Sequence, residues 1–514
     1  MPRWFNIAGP CNAERHYMLP VMRRLPKVRR LIDQESYFVL HAPRQVGKTT
    51  ALLTLAHELT SEGRYVAVLL SMEVGAGFLD DTGAAELAIL DAWRGRAQSR
   101  LPGDLQPPPW PDTSPGRRIA SALQAWARAA PRPLVVFLDE IDALQGPLLV
   151  SVLRQLRDGY PDHPHDFPHA LALVGLRDVR DYKLDPSDGS SHSASPFNIK
   201  DASLTLRNFT ADEVAELYAQ HTEETGQAFS PEAVGRAFEL TDGQPWLVNA
   251  LAKEIVEELV PDPLQTITEL HVDAAKDVLI RRQDTHLDSL AERLREPRVR
   301  QVIEPILAGT ALGLMPEDDL RYVQDLGLVR HSEGGGLVVA NPIYREVIPN
   351  ALASIAIASL PQIRTTWLGP DGKLDEDRLL AAFLGFWRQH AEPLFGAAPY
   401  HEVAPHLVLL AFLHRVVNGG GSIEREYAIG SGRMDLLVRH HDRTLAVELK
   451  VWRKGRPDPL PTGLEQLDRY LAGLGLDHGW LVIFDRRSDV ALAERTNAET
   501  RTSPGGRRVV VVRA

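Results

Sequence analysis

The chain holds a single cysteine, Cys11, among its 514 residues. A disulfide framework and a cysteine-rich zinc site within the chain are therefore excluded. No apolar run reaches the length needed to cross a membrane. The opening residues, MPRWFNIAGP, lack the long apolar core of a signal peptide. No membrane partner and a cytoplasmic location are expected. No stretch recurs at the period of about 20–50 residues that marks solenoids and propellers. Surplus positive charge is missing too: the net charge of −11 argues against non-specific coating of nucleic acid by the whole surface. The charge is uneven. Residues 421–514 carry 16 Lys and Arg against 13 Asp and Glu, a net +3, which leaves −14 for the rest. That favours the C-terminal end for a nucleic-acid contact without deciding it.

What remains is an ordinary globular composition, 44% hydrophobic and 24% charged, of a length that suits about three or four domains. Buried-strand runs lie at residues 36–40 (SYFVL), 64–70 (RYVAVLL), 133–140 (PLVVFLDE) and 170–178 (ALALVGLRD), with helical patterns between them and a proline-rich loop at 103–116. Strands alternating with helices predict an α/β fold, a parallel sheet covered on both faces. The polar stretch 185–196 reads as an exposed loop. From Thr210 the pattern turns helical, and Thr210 with Glu213 has the spacing of a capping box. Residues 298–350 alternate helices with a short hairpin, which suits a winged helix. A linker follows, and Leu380, Phe383, Leu384 and Trp387 fall at the spacing of one buried helix face.

Two constellations carry chemistry. In the first, Ala42, Pro43, Arg44, Gln45 and Val46 lead into Gly47, Lys48 and Thr49, with Thr50 next. This fits a phosphate loop whose first glycine is replaced by Ala42. Its backbone N–H groups would wrap the phosphates of ATP, Lys48 would reach the β- and γ-phosphates, and Thr49 would hold Mg²⁺. The later run LVVFLDEID puts Asp139 at a strand's C-terminal end, placed to bind Mg²⁺ through water, with Glu140 next to it to polarise the attacking water. These residues, the GLRD ending the strand near 170–178, and the turn Gly243-Gln244-Pro245 resemble AAA-like or STAND-type P-loop ATPases over roughly residues 5–350. The resemblance implies that Arg177 senses the γ-phosphate, that Pro245 belongs to the turn ahead of the winged helix, and that a helical lid lies between. Arg180 is a further candidate for a trans-acting arginine finger, with solvated charge as the competing reading. Residues 16–20 (HYMLP) are a candidate cover for the adenine.

The second constellation is a hairpin, MDLLV and TLAVELK joined by HHDR, in which Asp435, Glu448 and Lys450 follow the pattern D-x12-E-x-K. Charges in strands call for a partner or a metal. Glu448 and Lys450, two apart, share a face. Two carboxylates suit Mg²⁺ or Mn²⁺, and Lys450 can orient a water or stabilise developing charge. The pattern, with Met434 where a proline is usual, resembles the PD-(D/E)XK nucleases. Gln466 and Tyr470 fit the QxxxY element of RecB-like members. The resemblance covers about residues 400–485 and implies a third metal-binding acid on a helix, Glu402, with Glu426 as the alternative. His440, His441 and Asp442 read as turn residues. Lys454 and Arg456 are candidate phosphate contacts, with a solvated edge as the competing reading.

The expected order is a P-loop ATPase core (1–205), a helical lid (206–295), a winged helix (296–355), a helical linker (356–399) and a restriction-endonuclease-like α/β domain (400–514). The expected function is nucleotide-controlled, metal-dependent cutting of DNA, in defence against foreign DNA or in mobile-element processing. Homo-oligomerisation stays open. The alternative is a nucleotide-switched regulatory scaffold that binds DNA or a partner protein without cutting.

Overall fold

The strand Tyr37–His41 (β1) sends Tyr37 and Val39 into one hydrophobic core and Phe38 and Leu40 into another. A strand buried on both faces belongs inside a covered parallel sheet. The computed structural model, which describes residues 3–177, 197, 199–282, 285–307, 315–332, 335–359, 366–369, 373–397, 409, 412–413, 421–429, 432–452, 455, 457–485 and 495–514, has that sheet. In chain order its early elements are the helix Val28–Asp33 (α1), β1, Lys48–Ser61 (α2), Val66–Ser71 (β2), Thr82–Arg100 (α3), Arg118–Ala129 (α4), Leu134–Asp139 (β3), Gly146–Gly159 (α5), Ala170–Gly175 (β4) and Ala202–Thr205 (β5). The five strands are parallel, in the order β2-β3-β4-β1-β5. Helices α3, α4 and α5 cover one face, around Trp93, Trp126 and Leu153. Helices α1 and α2 cover the other, around Ile32, Leu52 and Leu55.

Four helices follow: Ala211–Thr225 (α6), Pro231–Thr241 (α7), Pro245–Glu254 (α8) and Glu269–Arg282 (α9). The capping box forms, with the Glu213 amide donating to Thr210 Oγ1 at 3.2 Å and the Thr210 amide donating to Glu213 Oε2 at 2.9 Å. Further along lie Thr285–Arg293 (α10), Pro297–Leu307 (α11), Glu317–Asp325 (α12), Val329–His331 (β6), Leu337–Val339 (β7), Pro342–Ser359 (α13) and Glu376–Ala397 (α14). The last elements are Gly421–Ile429 (β8), Gly432–His440 (β9), Arg443–Trp452 (β10), Leu460–Leu474 (α15), His478–Asp485 (β11), Asn497–Thr502 (β12) and Arg508–Arg513 (β13). They build a mixed six-stranded sheet in the order β12-β13-β11-β10-β9-β8. In it β10, β11 and β13 are parallel, and β8, β9 and β12 each run antiparallel to a neighbour. Helix α15 lies on this sheet through Leu467, Tyr470 and Leu471. It sits close: a Cβ added at Gly463 would meet Leu481 Cδ1 at 2.7 Å.

The chain divides into two compact units, Met1–Arg282 with Pro316–His331, and Gln283–Met315 with Ser332–Ala514. The buried stripe of α14 differs from the expected one. Leu379, Phe383, Phe386 and Trp387 are buried, whereas Leu380 and Leu384 are only half-buried. Apolar residues flank the stripe on both sides, so spacing alone leaves its rotation open. Packing fixes it: Phe383 and Phe386 meet Phe412, and Trp387 meets Phe484 with ring centroids 5.2 Å apart. Among the described residues no helix is long and apolar enough to cross a membrane.

Candidate functional sites

The phosphate-loop residues come together at the C-terminal edge of the parallel sheet. β1 ends at His41, and the Ala42 amide donates to Gly175 O at the end of β4. Gln45 (φ 60°) and Gly47 (φ 96°) take left-handed backbone that turns the chain into α2. Gly47 is the N-cap of α2 and provides no side-chain cap. The first N–H groups of that helix therefore stay available to an anion, and the helix dipole favours negative charge there.

Lys48 folds over the loop, its ammonium donating to Ala42 O at 2.7 Å and Pro43 O at 2.9 Å. Burial pushes its pKa down, with Asp142, Asp139 and Glu140 opposing. Thr49 Oγ1 donates to Asp139 Oδ2 at 2.9 Å. A hydroxyl oxygen beside a carboxylate is the hard donor set that Mg²⁺ takes, so the residues present fit that ion. Burial raises the pKa of Asp139 against its bonds from Thr49 and from the Glu140 amide. Burial, with Asp142 and Asp139 close by, also raises that of Glu140. Glu140 sits at φ 57°, ψ 38°, a conformation costly for a residue other than glycine. It is the kind of local strain that surrounding packing must hold in place.

Arg177 lies just past β4 and is nearly buried. Its Nε is 3.7 Å from Asp325 Oδ2, and its guanidinium stands 4.8 Å over the Tyr322 ring, both on α12. The residue after α12 and Leu326, Gly327, comes so close to the loop that an added Cβ would meet Pro43 Cγ at 2.7 Å. Pro245 opens α8 and is buried. The N-terminal segment bridges α8 and α2: Trp246 Nε1 donates to Ile7 O at 2.9 Å, and the Cys11 amide donates to Thr50 Oγ1 at 3.0 Å. Residues 16–18 pack against α6, where Tyr17 meets Phe5 and His221 and the Met18 backbone pairs with Gln220. Arg180 and the polar stretch 185–196 lie outside the described residues.

The second constellation also converges. The β9–β10 ladder runs from His440 opposite Arg443 to Leu436 opposite Val447. The next residues along the two strands are Asp435 and Glu448. There the Leu449 amide donates to Asp435 Oδ2 at 2.7 Å. Glu448 has the parity of Ala446, which faces α15. Lys450 on that same face donates to Glu448 Oε1 at 2.6 Å and to Gln466 Oε1 of α15 at 3.0 Å. Gln466 Nε2 in turn donates to Tyr470 OH at 3.1 Å. Glu448 is 0% exposed, and its Oε2 has no hydrogen-bond partner among the described residues. Burial, then the charge of Asp435, lifts its pKa to about 7 despite Lys450 and a bond from the Asp435 amide. A buried carboxylate oxygen left without a donor is costly unless a cation takes it. The donor set of Asp435 and Glu448 thus fits a hard divalent ion.

Among the described residues no group of three or more His, Cys, Asp or Glu gathers as a metal site. Glu402, Lys454 and Arg456 lie outside the described residues. Glu426 sits on β8 between Arg425, opposite Leu436, and Tyr427, opposite Met434, so its register position is across from Asp435. His441 (φ 53°) and Asp442 make the β9–β10 turn, and Asp442 Oδ2 accepts from Lys373 Nζ at 2.6 Å.

The sequence reading did not single out Asp325 and Tyr322, which hold Arg177, or Arg24, which contacts the phosphate loop. No local spacing marks the first two, and Arg24 sits among Arg23, Arg29 and Arg30 with nothing in sequence to separate it.

No protein-family model matches the chain, and no curated protein matches it. Among solved structures, the chain is similar to a Walker-type ATPase of Pyrococcus abyssi, with a TM-score of 0.48 at 14% identity over 67% of this chain and 99% of that one. It is similar to the ORC2 protein of Aeropyrum pernix, with a TM-score of 0.39 at 15% identity over 68% and 97% of the two chains. The RuvB Holliday junction branch migration motor of Thermotoga maritima gives a TM-score of 0.33 at 16% identity over 64% and 93%.

Proposed function

We propose that this chain binds and hydrolyses ATP at the phosphate loop and cuts DNA at the Asp435–Glu448–Lys450 site under control of the bound nucleotide. The observation that carries the nuclease half is Glu448. It is a fully buried acid with one oxygen unpartnered among the described residues, between Asp435 and Lys450. A strand that only needed a core residue there would be better served by an aliphatic side chain.

At the phosphate loop, Thr49 and Asp139 would hold Mg²⁺, which would neutralise phosphate charge. Lys48 exchanges the carbonyls of Ala42 and Pro43 for the β- and γ-phosphates. Glu140, its pKa raised by burial, orients the attacking water. Arg177 reads the γ-phosphate, and Asp325 and Tyr322 compete for it.

At the second site, Asp435 and Glu448 would hold Mg²⁺ or Mn²⁺, which would activate a water and neutralise phosphate charge near neutral pH. Lys450 stabilises the charge that develops on the phosphodiester. Gln466, held by Tyr470, keeps the Lys450 ammonium in place.

The test is plasmid cleavage by the full chain with Mg²⁺ or Mn²⁺, with and without ATP. Metal-dependent cutting that changes with nucleotide supports the reading. A folded protein that binds nucleotide but neither binds metal at the C-terminal sheet nor cuts is instead a nucleotide-switched scaffold.

A further inference from the structure

Arg24 lies in the single 3-10 turn Val21–Arg24 that precedes α1, and it is only 7% exposed. A buried arginine needs a partner for its charge and its donors. This one spends them on backbone. Its Nη2 donates to Val46 O at 2.9 Å and also to Arg207 O, and its Nε donates to Arg207 O at 2.9 Å. The guanidinium stands 4.9 Å over the Phe209 ring. Burial lowers its pKa to about 10, with Glu213 opposing and Arg207 adding to the fall. The cation persists at neutral pH.

Val46 O belongs to the peptide unit that joins Val46 to Gly47. In a trans peptide the C=O and N–H point in opposite directions. Fixing Val46 O on Arg24 therefore fixes the Gly47 N–H on the other side of the loop. Gly47 stands at φ 96°, where the chain has no side chain to hold it, and Arg24 Nη1 comes within 3.8 Å of an added Cβ there. Arg24 thus supplies from behind the constraint that this peptide lacks.

The same guanidinium reaches the lid. Arg207 and Phe209 lead into α6. The Phe209 amide donates to Gly243 O at 2.8 Å, and Asn208 Nδ2 donates to Asp242 O at 3.0 Å. Gly243 (φ 67°) is packed so closely that an added Cβ would lie 2.0 Å from Phe209 O. The turn at Gly243 leads into α8, which is capped by Gln244 and begins at Pro245. A short run of contacts therefore joins the phosphate loop, through Arg24, to the lid turn.

We infer that Arg24 is a positioning residue for nucleotide binding: it orients the Val46–Gly47 peptide toward the phosphates and ties the loop to the lid turn at Gly243. The inference rests on the phosphate loop being an ATP site. Arginine is required because its planar fork serves two carbonyls at once, which a lysine ammonium cannot match in geometry.

The experiment measures KM and kcat for ATP hydrolysis, and ATP binding by calorimetry, for the full chain and for Arg24→Ala and Arg24→Lys, with melting curves for each. Oriented backbone donors act on ground state and transition state together, so KM should rise with little change in kcat. A rise of roughly 10- to 100-fold is expected for Arg24→Ala, the loss of charge-assisted bonds. Millimolar methylguanidinium should lower the KM of Arg24→Ala again, and equal methylammonium should not. A purely structural arginine would lower the melting temperature and leave KM alone, and that result overturns the inference. If Arg24→Ala loses its cooperative melt, Arg24→Lys decides: a raised KM supports the inference and a parental KM overturns it. A folded parent that binds no ATP overturns the phosphate-loop reading, and this inference with it. A parent that binds ATP while the folded variants bind equally well overturns this inference alone.

Discussion

The phosphate loop and the β9–β10 hairpin each hold a lysine close to acids, yet their lysines are held differently. Lys48 donates to carbonyls five and six residues away, within its own loop. Lys450 donates to Glu448 two residues away and to Gln466, sixteen residues away on a helix that packs over the sheet. The first arrangement survives on local backbone geometry. The second exists only if α15 docks in register. Their acids differ as well. Both oxygens of Asp139 accept a hydrogen bond, one from Thr49 and one from the Glu140 amide, whereas Glu448 Oε2 accepts none from the described residues. The loop acid is thus satisfied by the chain on both oxygens, and the strand acid keeps one buried oxygen without a donor among the described residues.

The sharpest way to test that contrast is to remove one charge from each site. Lys48→Ala should abolish ATP hydrolysis in a coupled phosphate-release assay and leave calorimetric Mn²⁺ binding by the C-terminal sheet intact. Asp435→Asn should do the reverse, abolishing plasmid cleavage and Mn²⁺ binding while the ATPase persists. Loss of Mn²⁺ binding in Lys48→Ala, or of ATP hydrolysis in Asp435→Asn, in a folded sample would mean that the two sites are not separable.

Next in size are changes that keep the ligands and remove a helper. Lys450→Ala should slow plasmid cutting by roughly 10²–10³-fold with Mn²⁺ still bound, as for loss of one electrostatic stabiliser. Glu140→Gln should slow hydrolysis by roughly 10²–10⁴-fold with ATP affinity kept. A parental rate in either variant would remove that residue from its role.

A smaller effect is the pH dependence that Glu448 brings. Glu448 titrates near 4.5 when unperturbed and at about 7 in the metal-free fold. Between those values the folded chain holds more protons than the unfolded one. The contribution of Glu448 to stability is therefore full below 4.5 and is lost as pH rises toward 7. Glu448→Gln should then melt higher than the parent at pH 8, by on the order of 1–3 kcal/mol, with the gap closing toward pH 4.5. Mn²⁺ must displace the same proton, so its affinity should fall about tenfold per unit below pH 7. A pH-independent Mn²⁺ titration between pH 5.5 and 8 would place the metal elsewhere, since those values span the transition about 7.

The smallest expected effect concerns Arg177. If α12 competes with the γ-phosphate for it, Arg177→Ala should shrink the ratio of ATP to ADP affinity, by about tenfold at most for one such contact. An equal loss for both nucleotides would assign Arg177 to packing against Tyr322.

The turn from β1 into α2 was legible because residues 42–50 are contiguous and its backbone follows from Gly47 and the helix start. The capping box of Thr210 and Glu213 was legible for the same reason, since both partners lie within one helical turn. The stripe on α14 was legible in period but not in rotation: Leu380 and Leu384 fit the spacing as well as Leu379 and Phe386 do. Only the rings of Phe412 and Phe484 decided which face turned inward.

The sequence by itself determined which residues can carry chemistry, because side-chain type and short-range spacing are properties of the covalent chain. It placed Asp139 at a strand end, and it put Glu448 and Lys450 on one face of a strand. Tertiary structure alone decided what those groups meet. The strand register set Asp435 next to Glu448, docking of α15 brought Gln466 to Lys450, and α12 supplied Asp325 and Tyr322 to Arg177. Arg24 shows the limit most plainly. Its worth lies in a hydrogen bond to one carbonyl 22 residues away and another 183 away. Contacts at such separations form only after loop closure has been offset by burial, so no local pattern in the chain records them.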